Sequence, residues 1–97
     1  MKRVLVVMTK DTGDEVSVSV KVNHGNFTLK DKLRLEDDIK RRLEPYSEDA
    51  LYFKVRYNEK VGKSKGITES VKVSTLEELS IEVNRLFLDK GVSDNEE

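Results

Sequence analysis

The chain has 97 residues, with 18 Lys and Arg against 19 Asp and Glu and a net charge of −1. That length holds one domain, and the charge balance supplies no global field toward nucleic acid or an anionic membrane, so any electrostatic recognition needs a local patch. There is no cysteine, which excludes disulfides and thiolate metal sites, and no apolar stretch approaches the length that spans a bilayer.

The N-terminus, MKRVLVVMTKD, starts basic and turns apolar, but the apolar run covers only Val4 to Met8 and no small-residue cleavage site follows. It is therefore not read as a secretion signal, and a cytoplasmic protein is the default. Val4 to Met8 instead predicts a central strand covered on both faces. Lys10 to Glu15 reads as a turn. Val16, Val18, Val20 and Val22 then alternate with Ser17, Ser19, Lys21 and Asn23, the pattern of a strand with one buried face, and the two strands are expected to form a hairpin.

After the break at Asn23 to Asn26, a helix is expected. Thr28 can cap it with Asp31 three residues on. Leu29, Leu33, Leu35, Ile39 and Leu43 fit one broad stripe, although residues 27–35 also fit a strand period apart from Asp31. Glu36–Lys40, Asp37–Arg41 and Asp38–Arg42 are acid-to-base pairs at i, i+4, and Pro45 ends the segment.

Leu51, Phe53, Val55 and Tyr57 alternate with Tyr52, Lys54 and Arg56 in a third strand; Ile67, Val71 and Val73 alternate with Thr68, Ser70 and Lys72 in a fourth. Thr75 with Glu78 makes a capping box for a last helix. Its stripe runs through Leu76, Leu79, Val83, Leu86 and Phe87, and Gly91 is placed to cap its C-terminus with Val92 folded back on Phe87. The order β-β-α-β-β-α predicts an α+β fold: a four-stranded, mainly antiparallel sheet with two helices on one face. Residues 1–92 form the single domain, and residues 93–97 (SDNEE) an acidic, disordered tail.

Three motifs invite chemistry and are better read as turns. Gly62-Lys63-Ser64 resembles the end of a phosphate-binding loop, but the first glycine of that motif would fall on Tyr57, and a strand follows where a helix is required. Asp11-Thr12-Gly13 resembles the aspartic protease triplet, but it lies between Lys10 and Asp14, among ordinary turn residues. His24, the sole histidine, sits in a turn and cannot build a metal site alone. No catalytic, cofactor or metal-binding residue is assigned.

Two surfaces remain. The outward sheet face carries Ser17, Ser19, Lys21, Tyr52, Lys54, Arg56, Thr68, Ser70 and Lys72, and no acid falls among those nine positions. The back of the last helix carries Ile81 and Leu88 two turns apart, with Arg85 between them and placed to reach an acid such as Glu82 or Asp89 of a neighbouring chain. These surfaces define the functional expectation: a small non-enzymatic module acting through protein–protein contact at Ile81, Arg85 and Leu88, with a homodimer as one form. The alternative is a binder of single-stranded nucleic acid that uses Lys21, Tyr52, Lys54, Arg56 and Lys72 with the hairpin lysines Lys63 and Lys65. An enzyme assembled from distant carboxylates ranks third.

Overall fold

The computed structural model describes residues 1–63 and 66–92. Lys65 of the hairpin and the acidic tail at 93–97 lie outside the described residues. The elements are β1 (Lys2–Lys10), β2 (Glu15–Val22), α1 (Leu29–Arg42), a 3-10 turn at Glu44–Asp49, β3 (Ala50–Glu59), β4 (Ile67–Val73) and α2 (Leu76–Asp89). Two hairpins lie side by side in the order β2-β1-β3-β4, and every neighbouring pair is antiparallel. Both helices pack on one face. The sheet residues Val4, Val6, Met8, Val18, Val20, Phe53, Val55 and Tyr57 meet Leu35, Leu43, Leu79, Val83, Leu86 and Phe87 in a single core. Phe27, between the halves, packs edge-on against Phe87 and Tyr57 at 5.0 and 6.4 Å, a favourable geometry for aromatic pairs.

The helix termini form as local chemistry dictates. The Thr28 side chain accepts from the Asp31 amide, and the Asp31 carboxylate accepts from the Thr28 amide at 2.9 Å, so residues 27–35 leave the strand pattern at a complete capping box. In α2 the Thr75 hydroxyl accepts from the Glu78 amide at 3.1 Å, while Glu78 reaches back to the Ser74 amide at 3.3 Å instead of that of Thr75. At the other end Gly91 adopts φ +121°, and the Val92 amide donates to the Phe87 carbonyl at 2.9 Å. This is the Schellman closure, and it puts Val92 in the core.

Four details depart from expectation. Val4 to Met8 is central, but only one of its faces is covered: Leu5 and Val7 lie on the open side and are half-buried by neighbouring side chains. Leu51 is 58% exposed, because the β1–β3 register shifts between Thr9 and Lys10 and leaves Leu51 as the extra residue of a bulge. Leu33 points to solvent, and the buried stripe of α1 runs through Lys32 and Leu35 instead. Lys32 is 8% exposed there, its methylene stem covering apolar surface. Finally, Arg41 takes both Asp37 at 3.0 Å and Asp38 at 2.7 Å, so Asp38 turns to i+3 and not to Arg42.

Candidate binding surface on the open sheet face

Antiparallel register and two-residue alternation place side chains on the uncovered face in four rows. Reading from β2 across to β4, the rows are Glu15, Thr9 and Tyr52; Ser17, Val7, Lys54 and Lys72; Ser19, Leu5, Arg56 and Ser70; and Lys21, Arg3, Asn58 and Thr68. The fold thus brings Lys21, Tyr52, Lys54, Arg56 and Lys72 onto one surface. It adds Arg3, Leu5 and Val7, which the sequence pattern alone does not point to because the apolar run of β1 reads as covered on both faces. The signal was present: Arg3, Leu5, Val7 and Thr9 share one phase of the strand period.

Five bases stand against one acid, Glu15 at a corner, so this face carries +4; the chain total of −1 leaves −5 for all other residues. The acid-free reading of the face is corrected by Glu15, which is the first residue of β2 and pairs with Thr9. Among the described residues none of the five bases forms an ion pair; the salt bridges all lie elsewhere. Lys72 instead sets its ammonium 4.1 Å from the centre of the Tyr52 ring, a cation–π contact that holds the ring at the edge of the face. A shallow depression of about 190 Å³ lies between Val7, Thr9, Glu15, Tyr52, Lys54 and Arg56. Lys54 and Arg56 border it on one side and Glu15 on the other, with Val7 and Tyr52 supplying its apolar part.

The hairpin tip lies at one end of this surface. The Met1 ammonium donates to the Lys60 carbonyl at 2.8 Å, and the Lys60 amide donates to the Met1 carbonyl at 2.9 Å. That zipper sets the base of the tip beside the N-terminus, at the end of the sheet that carries Arg3 and Lys21. The glycines here serve the backbone. Gly62 takes φ +56°, and a Cβ on Gly66 would stand 2.7 Å from the Glu59 carbonyl oxygen, so β4 could not enter the hairpin with a larger residue there.

At the same end, Tyr57 is fully buried and its hydroxyl donates to Glu59 at 2.6 Å. Burial first, and then this hydrogen bond and the charges of Glu59 and Glu69, push the phenol well above its ordinary range. The same bond holds the Glu59 carboxyl below its ordinary value, partly opposed by desolvation and helped by Lys2, Lys90 and the N-terminal amine. Lys90 stacks 4.6 Å from the Tyr57 ring and pairs with Glu69 at 3.4 Å. This network ties the C-terminus of α2 to β3 and β4.

On the back of α2, Ile81 and Leu88 are 64% and 45% exposed. Arg85 lies between them, but its guanidinium is held within its own helix, donating to Glu82 and, at 2.8 Å, to Asp89. The acids expected from a neighbouring chain are thus supplied by the same helix, and Ile81 and Leu88 alone form the apolar ridge. Between the helices a groove of about 330 Å³ has Ile39, Leu76, Leu79 and Val83 at its floor and Glu36, Lys40, Glu44 and Ser80 at its mouth. His24 is exposed on its turn. Among the described residues no three His, Cys, Asp or Glu side chains gather as metal ligands, and no helix is long and apolar enough to cross a membrane. No family model matches the chain, and neither the curated proteins nor the solved structures yield a match.

Proposed function

We propose that the protein is a cytoplasmic, non-enzymatic binding module whose open sheet face takes single-stranded nucleic acid. The observation that carries this reading is a set of five bases, Arg3, Lys21, Lys54, Arg56 and Lys72, with no ion-pair partner among the described residues, arranged around Leu5, Val7 and Tyr52. Such cations meet phosphates without breaking internal pairs, and each phosphate neutralised releases counterions. An open sheet suits a single strand because unstacked bases can lie against its apolar and aromatic side chains while the backbone follows the cations. The face carries +4 in a chain whose total is −1, which favours a local surface over general attraction.

A fluorescent single-stranded oligonucleotide titrated at low salt tests the reading. Binding is expected, with log K falling against log salt by about 0.7 for each phosphate contacted. Arg3→Ala, Lys54→Ala and Arg56→Ala should each flatten that slope by about one contact. Tyr52→Ala should weaken binding with the slope unchanged, since stacking releases no ions. No binding at tens of micromolar protein in low salt ends this reading.

A second reading, contact with a protein partner through α2, rests on the exposed Ile81 and Leu88 ridge. Burying apolar surface there would contribute about 25 cal/mol per Å². Ile81→Glu combined with Leu88→Lys should leave the circular dichroism spectrum intact and abolish association followed by light scattering. A double variant that unfolds would place these residues in the core and remove the ridge from consideration.

A further inference from the structure

The two edge strands of the sheet are not equivalent. The inward side chains of β2 are covered: Val18 and Val20 are 3% and 5% exposed beneath α1. Every residue of β4 except Val73 is exposed, including the inward-facing Ile67 at 55% and Val71 at 37%. Among the described residues nothing pairs with the outer edge of β4. That edge offers unpaired N–H and C=O groups; it contains neither a proline nor a bulge, and its protective charges are Lys72 and the inward Glu69, the latter paired with Lys90 of its own chain. It therefore presents main-chain bonding capacity and apolar side chains on one strand.

We propose that β4 pairs antiparallel with β4 of a second copy, about a two-fold axis at Ser70, to give a dimer with a continuous eight-stranded sheet. A two-fold axis normal to the sheet keeps each side chain on its own face, so the axis must pass through a residue position, and charge then selects the register. Centred on Ser70, all seven residues of β4 pair: Ile67 opposite Val73, Thr68 opposite Lys72, and Glu69 opposite Val71. Centring on Glu69 or on Lys72 would set like charges directly opposite each other, which is destabilising, and centring on Val71 pairs only five residues. In the favoured register Glu69 keeps its own Lys90 and faces an apolar partner. The inward row of the two copies then combines Ile67, Val71 and Val73 with the two Glu69 carboxylates, each beside its own Lys90. On the other face the two cationic surfaces join edge to edge. The dimer does not depend on the nucleic-acid reading, and it uses none of the α2 ridge.

The chain has no cysteine, so an introduced one reports on proximity alone. Ser70→Cys places the two thiols on the axis, with Cα atoms about 4.5–5.5 Å apart as in any antiparallel pair, within disulfide reach. Mild oxidation is expected to convert this variant to a covalent dimer, whereas Ser19→Cys on β2 should remain largely uncrosslinked. Light scattering of the unmodified chain should give twice the monomer mass. Val71→Glu sets two carboxylates opposite Glu69 of the other copy and should raise the dissociation constant at least tenfold. Val71→Lys removes the same apolar surface but meets an opposite charge, and should retain the dimer. A wild type that is monomeric at about 100 µM, equal crosslinking at positions 19 and 70, or equal effects of the two Val71 variants would each overturn the proposal. Association lost in the Ile81→Glu, Leu88→Lys variant would do so too, because it would move the interface to α2.

Discussion

The chain uses one plan twice, a hairpin followed by a threonine-capped helix, and the two halves end in different states. In β1-β2-α1 the helix lies against β2, and the edge strand's central valines, Val18 and Val20, are buried. In β3-β4-α2 the helix lies against β3 instead, and the edge strand is left uncovered. The inward face of β2 is four valines, Val16, Val18, Val20 and Val22, whereas that of β4 interrupts its apolar residues with Glu69. Glu69 takes Lys90 from the end of α2, so that helix touches β4 through an ion pair while its apolar stripe sits inboard. A carboxylate under an apolar stripe would lose hydration at a high cost, which disfavours placing the α2 stripe over Glu69.

The largest expected effects lie where α2 meets the core. Leu79→Ala and Leu86→Ala should each cost roughly 2–5 kcal/mol in denaturant melts, as buried large-to-small changes; no loss from either would put the buried face of the second half in the wrong place. The comparison between edge strands comes next. Val18→Ala should cost about 2 kcal/mol, from two lost methylene equivalents and a small cavity. Val71→Ala should cost less than about 1 kcal/mol at low protein concentration, because much of that side chain is already in water. A Val71→Ala loss that grows with protein concentration would point to burial against a second copy.

A smaller effect compares the two caps. Thr28→Ala and Thr75→Ala should each cost about 1 kcal/mol, since both hydroxyls accept from the third amide of their helix. Asp31→Ala removes the acceptor of the Thr28 amide, and a further loss from it would show that this reciprocal bond, which the Thr75 amide lacks, matters. The smallest effect belongs to the Tyr57–Glu59 pair. A carboxyl held below its ordinary value of 4.5 adds stability above that value, and the gain is lost as pH falls through the folded-state value. Tyr57→Phe removes the main cause of the depression. The Glu59 titration followed by NMR should move up toward 4.5, and stability should fall less steeply with acid than in the wild type. An unchanged Glu59 titration would show that Lys2, Lys90 and the terminal amine hold the carboxylate without the phenol.

Much of the fold was legible locally. The Thr28 and Thr75 caps, the Gly91 closure and the alternating valines of β2 act within a few residues, so sequence spacing alone specifies them. The candidate site was legible in part: period-two alternation put Lys21, Tyr52, Lys54, Arg56 and Lys72 on one side of their strands. What the sequence could not say was which faces would be covered and by what. Apolar content in Val4 to Met8 looks the same whether a second layer or only neighbouring lysine and arginine stems shelter it, so the sequence alone puts Leu5 and Val7 inside. Leu51 fits its strand's period, but pairing with β1 decides that it is the bulged residue. The strand order, the single acid at the corner of the basic face and the exposure of β4 all depend on contacts between segments far apart in the chain. Such contacts are set by where two helices fit over four strands, and there are only enough apolar helix faces here to cover three.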